Sequence, residues 1–156
     1  IMPGQAERKK SVKYKLVPQE LEIRDKKVMI MDDSIVRGNT SREIVRMLRD
    51  FGAKKVYFSV ACPPVKSPCF YGVDMPTKSE LIAGNLTEDE IQAYLKVDAL
   101  LYQKIDDLVE AVTRRGDHHI DTPCLACLDG NYVANDIDDA KIAEMETMRV
   151  NDRNGG

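Results

Sequence analysis

The chain has 156 residues, about one domain on length alone, of which 43% are hydrophobic and 31% charged. Its 26 acidic and 23 basic side chains leave a formal charge of −3, which argues against a general nucleic-acid binder built on a basic surface. No apolar run approaches the roughly 18 residues of a membrane span, no signal-peptide pattern opens the chain, and its few cysteines do not make a disulfide framework.

Residues 1–20 are polar and basic, with Arg8, Lys9, Lys10, Lys13 and Lys15 between Pro3 and Pro18. They read as a mobile loop or tail. Because the chain opens on Ile1, it is expected to be cut from something longer. Val28-Met29-Ile30-Met31 is a short apolar run bounded by Asp25-Lys26-Lys27 and Asp32-Asp33-Ser34. Such a run predicts a fully buried strand of a parallel sheet. Ile44, Val45, Met47, Leu48 and Phe51 then recur at helical spacing, and Gly52 is a natural stop. Val56 to Val60 reads as a second strand, so the unit is strand, turn, helix, strand with a right-handed crossover.

Thr77-Lys78-Ser79-Glu80 and Thr87-Glu88-Asp89-Glu90 both spell capping boxes and predict two short helices separated by Gly84-Asn85. Asp98 to Tyr102 reads as a third strand. Ile105, Leu108, Val109 and Val112 give an amphipathic helix ending near Gly116. Residues 117–136 read mostly as loop, Asp138 to Met148 as a last helix, and Val150 to Gly156 as a frayed end. Met29, Met31, Met47, Met145 and Met148 read as core filler. His118 and His119 read as solvated. The expected class is α/β, with a mainly parallel sheet flanked by helices and a C-terminal loop and helix extension.

The informative segment runs from Val28 to Ser41. A strand ends in two carboxylates, Asp32 and Asp33, and a short turn leads into a helix. Ligands of open α/β sheets bind beyond the carboxyl ends of the strands. A helix start offers free N–H groups and a positive dipole end to a phosphate. Gly38 lets the backbone approach the anion, and Ser34, Thr40 and Ser41 add hydroxyls. Asp32 and Asp33 suit a ribose diol, directly or through Mg²⁺. A sugar phosphate satisfies both halves.

The whole string resembles the phosphoribosylpyrophosphate (PRPP) signature of type I phosphoribosyltransferases. Its Asp-Asp-Ser-Ile-Val-Arg-Gly spelling is similar to that of the glutamine PRPP amidotransferases. Ile1 to Gln5 with Arg8 to Lys13, Gly52 to Tyr57, Tyr71 to Pro76, Glu80 to Ala83 and Asp129 to Tyr132 extend the likeness along nearly the whole chain. Tyr14 and Asn39 depart from it, standing where a basic residue and Thr are common.

The resemblance implies part of a type I phosphoribosyltransferase fold. Residues 1–20 would be a catalytic loop segment, 21–116 the C-terminal part of that domain, and 117–156 an extension. It implies transfer of glutamine-derived ammonia to PRPP, the first step of de novo purine synthesis, in the cytoplasm. Asp32 and Asp33 would hold the diol and Mg²⁺. Ser34, Ile35, Val36, Arg37, Gly38, Asn39, Thr40 and Ser41 would wrap the 5′-phosphate, and Arg8, Lys9, Lys10 and Lys13 would fold over the site as its catalytic basic loop.

It further implies an upstream glutaminase domain, inhibition by purine nucleotides, a homo-oligomer and no nucleic-acid or membrane partner. Cys124 and Cys127 form a C-x-x-C, which alone is compatible with a metal. A redox motif would want a helix start there, and Asp129-Gly130 reads instead as a turn. On the resemblance, Cys69 (in Pro68-Cys69-Phe70), Cys124 and Cys127 would be three ligands of a 4Fe–4S cluster whose fourth lies upstream. Cys62 would be an ordinary buried side chain. Rival readings are another type I phosphoribosyltransferase, such as a base-salvage enzyme, a non-catalytic PRPP- or nucleotide-sensing module, and an inert remnant.

Overall fold

The computed structural model of the chain describes residues 17–114, 122–134 and 137–154. The basic cluster Arg8 to Lys15, Gly116, and His118 with His119 lie outside these residues. Glu20–Ile23 forms a single helical turn, α1, that begins at the last residue of the stretch read as loop. β1 (Lys27–Asp32) leads through the acidic turn into α2 (Asn39–Asp50) and on to β2 (Lys55–Val60). A 3₁₀ turn (Lys78–Glu80), α3 (Ile82–Asn85) and α4 (Glu88–Leu95) precede β3 (Ala99–Tyr102). α5 (Ile105–Thr113), α6 (Ala126–Asp129) and α7 (Asp139–Asn154) complete the order.

The three strands pair in parallel in the order β1-β2-β3. The expected α/β class is therefore what the chain adopts. The period of two along each strand sorts its side chains between faces. Val28, Ile30, Val56, Phe58, Val60, Leu100 and Tyr102 point one way and pack with Val45 and Leu48 of α2 and Ile91 and Leu95 of α4. Among the described residues nothing covers the opposite face. Met29 is 56% exposed, Met31 79% and Leu101 50%. β1 is thus buried on one face, not two. The run Val-Met-Ile-Met carries no information about which face is covered. Met29, Met31 and Met148, at 55% exposed, are not core filler, whereas Met47 and Met145 are half-buried.

The helix stop at Gly52 stands as expected, with φ +83° closing the last turn of α2. Both capping boxes form, since Glu80 accepts from the Thr77 N–H and Glu90 from the Thr87 N–H. Gly84-Asn85 does not separate two helices; it ends α3. A Cβ at Gly84 would stand 2.9 Å from the Lys66 carbonyl oxygen, so its requirement is close backbone packing. Asn85 donates to the Lys78, Ser79 and Leu81 carbonyls and ties this corner together.

Asp98 anchors the N-terminal end of the sheet. Its carboxylate accepts from Lys55 Nζ at 2.7 Å, Arg49 Nη2 at 2.6 Å and the Val56 N–H at 2.8 Å. The Lys55 ammonium, the Val56 N–H and Arg49 hold it well below the usual carboxylate range. A depressed folded value means stability fully present above the unfolded carboxylate value, about 3.9, and lost as pH falls through the folded one. Asp98→Asn should cost about 2 kcal/mol at pH 7, and the gap from the parent should narrow as pH falls below about 3.9, as urea unfolding at neutral and acid pH will show.

α7 continues past Met148 to Asn154, beyond the point where fraying was expected. Arg149 holds it down. Its guanidinium donates to the Met75 and Cys69 carbonyls and lies 5.6 Å from the Phe70 ring centroid.

Candidate functional site

The acid pair lies at the carboxyl end of β1, the end at which open α/β sheets bind ligands. The Asp32 carbonyl still belongs to the sheet, accepting from Ala61 N–H at 3.0 Å. The Asp33 N–H donates to Asp32 Oδ1 at 3.0 Å, and Ser34 Oγ to Asp33 Oδ1 at 3.3 Å. These bonds orient both carboxylates beside the turn. Asp33 is exposed and Asp32 half-buried.

The turn is built from inside. Ile35 is buried in the main core and Val36 packs on a second cluster around Val65, Leu81 and Leu128. The Val36 carbonyl accepts from Ile82 N–H at 2.9 Å. Gly38 is the residue before α2 and takes the left-handed φ of +73°. No side chain caps α2, and its first turn holds no acid. The first intrahelical donor is the Arg42 N–H, which reaches the Gly38 carbonyl at 2.9 Å. The preceding N–H groups of Asn39, Thr40 and Ser41 are those a helix leaves unsatisfied. Asn39 and Thr40 are exposed, while Ser41 is buried. Paired carboxylates and an uncapped twelve-residue helix thus flank one turn.

Arg37 points elsewhere. Its Nε and Nη2 each reach Glu80 Oε1 at 3.0 Å, while Glu80 Oε2 accepts from the Thr77 hydroxyl at 3.0 Å. Sequence reasoning placed Glu80 in a capping box and missed this second duty. A partner 43 residues away leaves no local signal.

No family model matches the chain. Over 149 residues it is 48% identical to the amidophosphoribosyltransferase of Pseudomonas aeruginosa, covering 96% of this chain and 30% of that protein. The Escherichia coli amidophosphoribosyltransferase is 43% identical over 152 residues, again 30% of its length. Over nearly its whole length the chain is homologous to one portion of the amidophosphoribosyltransferases. It spans about 30% of the length of these curated amidophosphoribosyltransferases. Among solved structures it resembles the glutamine PRPP amidotransferase from B. subtilis complexed with ADP and GMP, with a TM-score of 0.66 and 38% identity. That match takes in 85% of this chain and 29% of the other.

The cysteines that suggested a cluster in this amidophosphoribosyltransferase relative are all free thiols. α6 carries Cys127, whose carbonyl accepts from the Lys66 and Ser67 N–H groups and so ties α6 to the loop leading to Cys69. The Tyr132 hydroxyl donates to the Pro68 carbonyl at 2.8 Å, and the Tyr71 N–H to Cys69 Sγ. Burial pushes the Cys127 thiol up, and the charges of Cys69 and Cys124 add to the shift. Cys127 therefore lies within the field of both other sulfurs. Contrary to the expected turn, a helix does begin inside the C-x-x-C, at Ala126, but it is one turn long and ends at Gly130. The raised Cys127 is the opposite of an activated redox thiol. Cys62 is half-buried and packs on the second cluster, near enough to Cys127 and Asp33 for both to raise it.

Among the described residues no group of three His, Cys, Asp or Glu side chains is placed for a metal ion. A four-iron cluster binds each thiolate to a different iron, so its ligands stand farther apart than those of one ion. The hydrogen bonds from Lys66 and Ser67 to the Cys127 carbonyl bring the segments carrying Cys69 and Cys127 together, and thiols of this kind are chemically what such a cluster would take.

Proposed function

We propose that the chain is the PRPP-binding portion of an amidophosphoribosyltransferase. The reaction converts PRPP, glutamine and water to 5-phosphoribosylamine, pyrophosphate and glutamate. The observation that carries this reading is the uncapped start of α2 beside the Asp32-Asp33 pair at the carboxyl edge of the sheet. The N–H groups of Asn39, Thr40 and Ser41 bind the 5′-phosphate. Asp32 and Asp33 accept from the ribose 2′- and 3′-hydroxyls and hold Mg²⁺, which neutralises pyrophosphate charge. Ammonia's lone pair forms the new bond to C1 as the C1–O bond to pyrophosphate breaks, and the nitrogen then loses a proton. Little covalent chemistry falls to the protein; position and electrostatics do the rest. The cations Arg8, Lys9, Lys10 and Lys13 supply positive charge for the departing pyrophosphate.

Several features fit a role within a longer polypeptide, in the three-part division 1–20, 21–116 and 117–156. Parallel sheets are covered on both faces, and here nothing among the described residues covers the face with Met29, Met31 and Leu101. A glutaminase domain supplies the ammonia, and Cys69, Cys124 and Cys127 provide three ligands of a 4Fe–4S cluster completed by a cysteine elsewhere. The cluster pins the 65–70 loop to α6 and supplies no step of the transfer. Purine nucleotides, such as those in the B. subtilis complex, bind and inhibit, and the protein is a cytoplasmic homo-oligomer. No described helix is long and apolar enough to cross a membrane.

The test is glutamine-dependent pyrophosphate release from PRPP. The full-length protein should release it, the 156-residue chain alone should not, and Asp33→Asn in the full-length protein should lower kcat/KM for PRPP at least about tenfold. Mg–PRPP binding without release by the full-length protein would instead identify a sensing module. Iron and acid-labile sulfide, measured in anaerobically prepared protein, should reach about four each per chain and fall in Cys127→Ser. Unchanged metal content in that variant would refute the ligand assignment.

A further inference from the structure

A groove of about 400 Å³ runs between α2 and α4, from Asn39 at the start of α2 to Lys96 at the end of α4. Its lining concentrates positive charge in a chain whose formal charge is −3. Arg42, Arg46, Arg49 and Lys96 face it, against one acid, Glu43. Arg49 is committed to Asp98. Arg46 has only loose partners, Glu43 at 3.7 Å and Asp50 at 3.8 Å. Arg42 and Lys96 have no ion pair among the described residues. Arg42 lies over the Tyr94 ring, 4.6 Å from its centroid, which fixes the guanidinium at the groove wall. Lys96 takes a left-handed φ of +60° at the end of α4, a position where Gly is the usual residue. That conformation costs on the order of 1 kcal/mol for a non-glycine residue and sets a lysine at the rim.

We propose that this groove is a second anion site, taking a ligand with two or more linked phosphates. Arg46, Arg42 and Lys96 are three cations spaced around one concavity, which suits several phosphates better than one. The groove is too small, and the rest of the chain too acidic, for a polynucleotide track. The site also touches the phosphate turn. A Cβ built on Gly38 would stand 3.3 Å from Tyr94 Cε1, and the Tyr94 hydroxyl donates to Asn39 Oδ1 at 3.3 Å. A ligand that draws Arg42 off the ring frees Tyr94 to move against Gly38. This coupling, unlike the site itself, rests on the sugar-phosphate reading of the turn.

Calorimetric titration of the chain with inorganic tripolyphosphate tests the site. Binding should be at least tenfold tighter than that of orthophosphate and weaken as salt rises. Arg42→Gln/Lys96→Gln should weaken it at least tenfold, while Lys104→Gln, at the start of α5, should leave it unchanged. Adenosine triphosphate in place of tripolyphosphate separates a nucleotide site, which would bind it more tightly, from one that reads phosphates alone; either result supports the proposal. Saturating ribose 5-phosphate should leave tripolyphosphate bound. Absence of binding, equal binding by the double variant, or displacement by ribose 5-phosphate would overturn it. If ribose 5-phosphate itself fails to bind, the turn reading falls while the groove stands or falls on the double variant.

Discussion

Gly38→Ala is expected to weaken binding of ribose 5-phosphate at least about tenfold and to cost about 1–3 kcal/mol of stability. Two effects add. The φ of +73° is strained for any residue with a Cβ, and the new methyl would stand 2.7 Å from Ile82 Cδ1. Ile82 can swing its chain end, but its N–H holds the Val36 carbonyl, so the shift passes into the turn. Gly52→Ala is the control. It carries the same kind of strain at φ +83°, yet a Cβ there meets nothing closer than Arg24 Cγ at 3.5 Å. That variant should lose stability and keep its ligand affinity. Calorimetry and urea unfolding on both variants separate the effects, and a Gly38→Ala protein that binds like the parent would remove Gly38 from the site.

The second large effect is expected at Glu80. Its carboxylate grips Arg37 with one oxygen and Thr77 with the other, so it sets the outer side of the turn from a separate segment. Arg37 is itself only partly exposed, and leaving its charge without a partner is costly. Glu80→Gln should cost about 1–3 kcal/mol and weaken ribose 5-phosphate binding by about tenfold. The sign matters more than the size. If Arg37 were the phosphate's own partner, removing its competing carboxylate would tighten binding. Arg37→Met should then cost little more than Glu80→Gln, and the double variant little more than either, because both break one strut. Tighter binding in Glu80→Gln, or fully additive losses, would make Arg37 a direct phosphate ligand.

Much of this arrangement was legible in the amino-acid order, and the exceptions share a cause. The strand before Asp32, the helix stop at Gly52 and both threonine boxes are set by near neighbours, so local pattern suffices. Met29 and Met31 are apolar residues in a short strand, and nothing nearby says that one face lacks a covering helix. Arg37 sits in a string that reads as phosphate-binding, yet its side chain turns to a carboxylate 43 positions on. Gly84 read as a break because glycine usually is one; only the approach of two carbonyl oxygens shows why it is there. The helix continues past Met148 because Arg149 reaches carbonyls at Cys69 and Met75, again a distant tie. The acid pair and the uncapped helix were readable for the converse reason: adjacent residues build them.

The most direct measurement is an amide NMR titration of the ¹⁵N-labelled chain with ribose 5-phosphate and Mg²⁺ at millimolar concentration, where even weak binding registers. The account predicts that the largest shifts fall on the N–H groups of Ser34 to Ser41, that Asp33→Asn diminishes them, and that orthophosphate reproduces only those near Asn39 to Ser41. Shifts centred elsewhere on the chain, or a turn that stays silent at saturating sugar phosphate, would contradict it.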